Sequence, residues 1–268
     1  MQAQAVLSQS SDHKEGAITL HDNVKRRSST MIDFYGCGSP NVLKVLLMLE
    51  ELSLPYQFHK VNVRNGEQYS PQFLALNPNN KVPVIVDNDA EGGSHTVFES
   101  GAILFYLAEK TGQLFGHGSR ERSEIMQWLM WQMGGVGPMF GQALHFQYIA
   151  PAGNDYARQR YLTEAKRLYD VAEQRLSQSE WLGGGEYSIA DIAAWPWLAK
   201  YYNYPGFERH LADFPNLSRW IKAIGHRPAY ERIHELFKTL FKEDLARQQT
   251  ASADELDRFF GRGRYFRA

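Results

Sequence analysis

The stretch Met31-Ile-Asp-Phe-Tyr-Gly-Cys-Gly-Ser-Pro-Asn41 reads as a short strand that passes through glycine-flanked Cys37 into a helix. Ser39 has the side chain of an N-cap, and Pro40 falls at the first helical position, where its missing N–H costs little. Val42, Val45, Leu46 and Leu49 then mark one helical face. Working outward, Tyr56 to Val63 alternates like a strand. Val82 to Val86 is another short strand, turn-rich Asp87 to Gly93 follows, and Thr96 to Phe98 supplies a hairpin partner. Gly101 to Lys110 is a strongly apolar helix that stops at Gly112. Strand, helix, strand, hairpin, helix is the order of a thioredoxin-like unit.

The pattern changes between Gly112 and Ser119, after which nearly everything reads as helix. Glu121 to Met133 is rich in Trp and Met, and Gly134-Gly135 should loosen or end it before Pro138. Arg158 to Leu176 sets Leu162, Ala165, Tyr169, Ala172 and Leu176 on one face. Ser188-Ile-Ala-Asp191 has the form of a capping box ahead of apolar Ile192 to Ala199, where Pro196 should kink or end the helix. Pro215 to Ile224 is a further helix, stopped by Gly225 and Pro228. The fold class is therefore α/β plus all-α. We divide the chain into a tail over 1–30, expected to be disordered, a thioredoxin-like domain over 31–113, an all-helical domain over 119–240 and an extension over 241–268. Phe259, Phe260, Tyr265 and Phe266 in the extension are expected to pack back onto the body.

Composition narrows the possible partners. With 268 residues, 43% of them hydrophobic, the chain can bury one large core or two modest ones. A net charge of −1 provides no field to recruit nucleic acid or an anionic membrane. No apolar run is long enough for a membrane span, and the first thirty residues lack the apolar stretch of a secretory signal. A single cysteine, Cys37, excludes an intrachain disulfide and argues for a reducing, cytoplasmic compartment.

Three features point to one kind of ligand. Ser39 and Asn41 at a helix N-terminus, a Val82-Pro83 step into a strand, and the pair Glu99-Ser100 at a second helix N-terminus suit a thiol peptide with two carboxylates and an amine. Each feature also has a plainer reading, as a helix cap, an ordinary proline or a solvated first turn. Their conjunction favours the ligand.

Ser39-Pro-Asn41, Asn77-Pro-Asn-Asn-Lys-Val-Pro83, Phe98-Glu-Ser-Gly-Ala-Ile-Leu104, Trp128-Leu-Met-Trp131 and Tyr187-Ser-Ile-Ala-Asp-Ile192 resemble the glutathione transferases. Gly135-Val-Gly-Pro138 and Trp195-Pro-Trp197 narrow the resemblance to the nu class, the bacterial disulfide-bond oxidoreductases related to the yeast nitrogen regulator. It extends over about Met31 to Glu235. Where the bacterial members carry Thr, this chain has Ser39, which keeps the hydroxyl.

The resemblance implies glutathione, reduced or as its disulfide, bound with its sulfur at Ser39 and Asn41. The thiolate is the nucleophile, and a hydroxyl, an amide N–H and a helix N-terminus all stabilise it. Pro83 resembles a cis-proline that presents the backbone of Val82 to the cysteinyl part. Glu99 would take the γ-glutamyl amine and Ser100 its carboxylate, with Gln68 and Lys81 as candidates for the glycyl end. A symmetric homodimer is implied, in which Arg160 reaches a glutathione carboxylate across the subunit boundary. The implied reaction is reduction of a small disulfide. Transfer to, or cleavage of, an aromatic electrophile is a second possibility, with Trp128, Trp131, Phe140, His145 and Tyr148 as candidate pocket residues, and a non-catalytic glutathione-binding regulator a third.

Other motifs are rejected. Cys37 stands two residues before the sulfur-binding position and cannot complete a Cys-x-x-Cys pair. Asn41 occupies the third glycine position of a dinucleotide fingerprint. Gly183-Gly-Gly185 lacks the Lys-Ser/Thr of a phosphate loop, and the nine histidines have no metal-ligand spacing.

Overall fold

The protein is represented by a computed structural model that describes residues 32–200, 210–260 and 262–265. The tail over 1–30 lies outside the described residues. Strand β1 (Ile32–Gly36) lies inside a mixed four-stranded sheet of order β2-β1-β3-β4. It runs parallel to β2 (Tyr56–Lys60), with Ile32 opposite Tyr56 and Phe34 opposite Phe58. Helix α1 (Pro40–Glu51) makes the crossover between them. After a short helix α2 (Pro71–Leu76), β3 (Val84–Asp87) runs antiparallel to β1 and pairs with β4 (His95–Phe98) as the expected hairpin. Helix α3 (Ser100–Thr111) follows and ends at Gly112, whose φ of 68° provides the left-handed C-cap. Strand β2 is shorter than the alternation of Tyr56 to Val63 predicts. Val61 N donates to Gly36 O at 2.8 Å, and Val61 and Val63 turn into a small cluster with Cys37, Phe73 and Val84.

Helix α1 begins as its sequence requires. Pro40 is the first residue, and Ser39 accepts from Val42 N at 3.3 Å. Every residue from Val42 to Leu49 is buried, not only the expected face. A helix buried on all sides needs a second layer, and the helical half supplies it. One continuous core runs from Ile32 and Phe34 through α1 to Trp220 and Phe237.

In that half, α4 (Ser119–Trp131) passes through a π-helical turn, Gln132–Val136, into α5 (Gly137–Tyr148). Gly134-Gly135 therefore loosens one helix into the wider turn. Helix α6 (Asp155–Gln178) carries the expected apolar face. Helix α7 (Ile189–Leu198) contains Pro196 and ends two residues after it. Asp191 is fully buried and accepts from Leu182 N, Ser188 N, Ser188 Oγ and Trp220 Nε1 at 2.8–3.1 Å. Four donors explain how a carboxylate is tolerated in the core. Helices α8 (Pro215–Gly225), α9 (Pro228–Thr250) and α10 (Ala253–Phe260) are the last helices of the described residues, before a short 3-10 turn at Gly263–Tyr265. Helix α9 is unbroken, so the division at 240/241 falls inside one helix.

Candidate active site

The N-terminus of α1 forms the floor of the site. Ser39 Oγ accepts from Val42 N, and its O–H donates to the neighbouring Cys37 sulfur, the one contact it would exchange for a bound ligand. Asn41 Oδ1 accepts from Trp197 Nε1 at 3.1 Å. An indole N–H can only donate, so this contact fixes the amide orientation and leaves the Asn41 NH2 group as the donor end. Trp197 comes from α7, so the helical half orients a side chain of the thioredoxin-like half.

A second group of residues surrounds the N-terminus of α3. Glu99, its N-cap, has φ 69° and ψ 116°. Such a conformation in a non-glycine residue costs about 1–3 kcal/mol and is concentrated at ligand sites. Asn79 Nδ2 donates to Glu99 Oε1 at 3.4 Å. Ser100 is buried, and its hydroxyl accepts from Lys44 Nζ at 3.2 Å. Lys44 is itself buried and also donates to Gln132 Oε1 at 2.7 Å. Burial pulls its ammonium down to about 7 despite the attraction of Glu99. A hydroxyl, a lysine and free helix N–H groups in one place fit a carboxylate.

A third element is the Val82-Pro83 step, whose peptide bond is cis. Asn77, also buried, donates from Nδ2 to Lys81 O at 2.7 Å and so fixes the loop ahead of it. Val82 packs on the cluster that contains Cys37, bringing this loop beside the floor. Gln68 is buried with its Oε1 unpaired, a polar atom that needs a partner. The Lys81 side chain is exposed.

A cavity of about 650 Å³ opens above the floor. Gly38, Ser39 and Pro40 form its base, with Trp197 to one side. Helix α5 contributes Leu144, His145 and Tyr148 to one wall. The roof is Phe241, Asp244 and Leu245 from α9 with Phe259 and Phe260 from α10. Arg64 enters from the loop after β2, its guanidinium 3.8 Å from the centre of the Phe259 ring. His145 is held below the usual imidazole range by burial and by Arg262. Cys37 is buried at the base, and its thiol is pushed up to about 12 by burial first and then by Asp244. A thiol so hard to ionise is inert at neutral pH.

Not every expected residue converges here. His145 and Tyr148 line the cavity, whereas Phe140 is core and Trp128 and Trp131 pack against each other at the core's edge. Arg160 borders a separate surface depression with Tyr156, Gln159 and Thr163. Within one chain it does not reach the α1 floor. Asp244, Arg64, Phe259 and Lys44 are site residues that the sequence motifs do not mark.

The Glutathione S-transferase N-terminal domain matches residues 29–109, and the Glutathione S-transferase C-terminal domain matches residues 136–228. The chain belongs to the glutathione transferase family. This glutathione transferase is 49% identical over 201 residues to the disulfide-bond oxidoreductase YfcG of Escherichia coli, covering 74% of the chain and 92% of that relative. It is similar to a Burkholderia graminis glutathione transferase solved with two glutathione molecules per subunit (TM-score 0.68, 46% identity, 76% of this chain and 87% of the other). A Pseudomonas putida enzyme solved with one glutathione disulfide per subunit gives a TM-score of 0.70 at 40% identity over 78% of this chain and 92% of the other. The C-terminal match ends at residue 228, so α9 and α10, which build the roof, lie beyond it.

Proposed function

We propose that this glutathione transferase is a glutathione-dependent disulfide-bond reductase. The observation that carries the proposal is the α1 N-terminus at the base of the cavity, with the Ser39 hydroxyl lining it and the Asn41 side-chain oxygen engaged by Trp197, which leaves the Asn41 NH2 as a donor. Bound glutathione supplies the sulfur nucleophile, and the overall exchange converts two thiols and one disulfide into glutathione disulfide and two new thiols. The protein supplies position and charge. Ser39 and Asn41 stabilise negative charge at the sulfur, and Val82 offers its backbone to the cysteinyl part. Glu99 takes the γ-glutamyl amine, and Ser100, backed by Lys44, takes its carboxylate. Gln68 and Lys81 hold the glycyl end. The relatives described above, one a disulfide-bond oxidoreductase and one holding glutathione disulfide, support this reading.

Asn41→Ala tests it. Losing one hydrogen bond to a charged sulfur costs about 1.5–3 kcal/mol, so disulfide reductase turnover should fall roughly tenfold to a hundredfold, with a smaller change in glutathione affinity. Ser39→Ala should act in the same direction more mildly, because the helix N–H groups are retained. Full turnover in both variants rules this sulfur site out.

The aromatic roof and Tyr148 favour a second reading, transfer of glutathione to an aromatic electrophile. Turnover with a panel of disulfides and aromatic halides separates the two, and a glutathione-binding regulator would turn over neither. We also propose a cytoplasmic homodimer. The lone buried thiol supports the compartment, and exposed Phe98, Phe105 and Met130 on β4, α3 and α4 support a paired surface. In that dimer Arg160 approaches the partner's site. Light scattering should give twice the 30.7 kDa chain mass, and a monomer at micromolar concentration removes both the dimer and the cross-subunit role.

A further inference from the structure

The position assigned above to the glutathione sulfur has a carboxylate beside it. Asp244 Oδ2 accepts from Gly38 N at 2.5 Å, a contact between residues 206 apart in sequence. The contact is held by packing. A Cβ on Gly38 would lie 2.5 Å from Leu240 C and O and 2.6 Å from Phe241 Cα, so the α9 backbone lies directly on this loop. From there Asp244 acts on the immediate neighbours of Ser39. It hydrogen-bonds the Cys37 thiol, which Ser39 also contacts, and raises its pKa. Arg64 is the counter-charge, attracted to Asp244 and stacked on the Phe259 ring. His145 faces the same cavity from α5.

Glutathione reaches this floor with one of two sulfurs. The thiolate of the reduced form carries a full negative charge, whereas the disulfide sulfur carries none. Backbone, amine and carboxylates are the same in each half-molecule. A fixed carboxylate next to the sulfur therefore penalises one form and not the other, because a like charge disfavours the ionised state. Ser39, Asn41 and the helix N-terminus pull in the opposite sense.

We propose that Asp244 is a specificity-determining residue, which biases the sulfur position toward glutathione bound as a disulfide and against the glutathione thiolate. The proposal rests on the reading of Ser39 and Asn41 as the sulfur site. It assigns the roof a chemical role as well as a steric one. The chain selects the oxidised form through a side chain that lies beyond the family's matched domains.

Asp244→Asn in the full chain tests it, since the amide keeps an acceptor for Gly38 N and removes the charge. Tryptophan fluorescence titrations would use reduced glutathione, S-methylglutathione and glutathione disulfide, and ultraviolet thiolate absorbance would read the pKa of the bound thiol. The expected result is about tenfold tighter binding of reduced glutathione with a bound-thiol pKa lower by about one unit. Affinities for the other two ligands should change less than about twofold. Asp244→Glu should behave as wild type, and Asp244→Ser replaces the amide variant if that one does not fold. Equal tightening of all three ligands would make Asp244 a steric plug, and weaker binding of reduced glutathione would make it a base for the thiol proton. Either result, or no change, overturns the proposal. Failure of the parent reading looks different: Ser39→Ala and Asn41→Ala would then leave the bound-thiol pKa untouched.

Discussion

The floor and the roof of the cavity are held by opposite means. The floor is the N-terminus of a helix buried on every side, with Ser39, the Val82-Pro83 step and Glu99 set by local backbone geometry. Lys44 within it is buried deeply enough to lose its proton near neutrality. The roof is the end of α9 and all of α10, half-exposed, with most of its charges on the outside and Asp244 turned inward onto Gly38. Lys60 pairs with Glu243, and Arg258 with Asp254, in water. The two meet at a close backbone approach, Gly38 under Leu240 and Phe241. The lesson is a division of labour. The proposed binding residues sit where the fold is least free to move, and the proposed selectivity residue sits on the end of α9, beyond the part of that helix that packs into the core.

The largest test falls on the floor. In the folded state the Lys44 ammonium titrates at about 7, against 10.5 for a solvated lysine. Between those values the unfolded chain binds a proton that the folded chain does not, so this residue makes stability rise as pH rises from 7 toward 10.5. Below 7 both states are protonated, and the folded state bears the full cost of a buried charge. Lys44→Met keeps the bulk and removes the charge. Relative to wild type, the variant should gain most at pH 6–7 and lose a few kcal/mol of that advantage by pH 10, at about 1.4 kcal/mol per unit. Urea denaturation at three pH values measures the slope. An unchanged slope would mean that the floor is wet and the contrast with the roof false.

Gly38→Ala tests the joint between the two. A methyl group there meets the backbone of α9, which cannot rotate aside as a side chain can. Overpacking of this kind costs about 1–3 kcal/mol. We expect a loss of that size, together with faster hydrogen exchange in residues 240–260 and unchanged exchange in α1. Uniformly faster exchange would show that roof and floor unfold as one unit.

The same contrast explains what could be read from the sequence. Ser39 and Pro40 declare the start of α1, Gly112 declares the end of α3, and Ser188 with Asp191 declares the cap of α7, because each acts within four residues. Lys44 is harder. On a one-faced helix it belongs to the solvent side, and only the second layer, α3, α7 and α9, turns that side inward. The aromatic pair Trp128 and Trp131 has helical spacing that suits a pocket wall or a core edge equally well, and packing chooses the core edge. Tyr230, Ile233, Phe237 and Leu240 have the spacing that carries α9 past residue 240. Nothing local, however, connects Asp244 to Gly38 across 206 positions. Arg160 lies apart for another reason, since its expected role belongs to an assembly of two chains.

The smallest effect is expected at the exposed edge of the roof. Glu243 lies one residue before Asp244 and pairs with Lys60 of β2, a link that could be taken for the latch holding α9 over the site. Physical chemistry argues otherwise. Both side chains are well solvated, and such pairs contribute little once screening and side-chain entropy are counted. The position of α9 is set instead by the backbone approach at Gly38 and by the bidentate pairing of Arg227 with Glu51, at 2.5 and 2.9 Å, near its start. Glu243→Gln should therefore shift the melting temperature by no more than about 2 °C. It should also leave the ratio of disulfide to reduced glutathione affinity as in wild type, at low and at moderate salt. A clear salt-dependent loss of that ratio would mean that the roof is latched electrostatically. Asp244 would then owe its place to Lys60 and Glu243 rather than to the packing of α9 on Gly38.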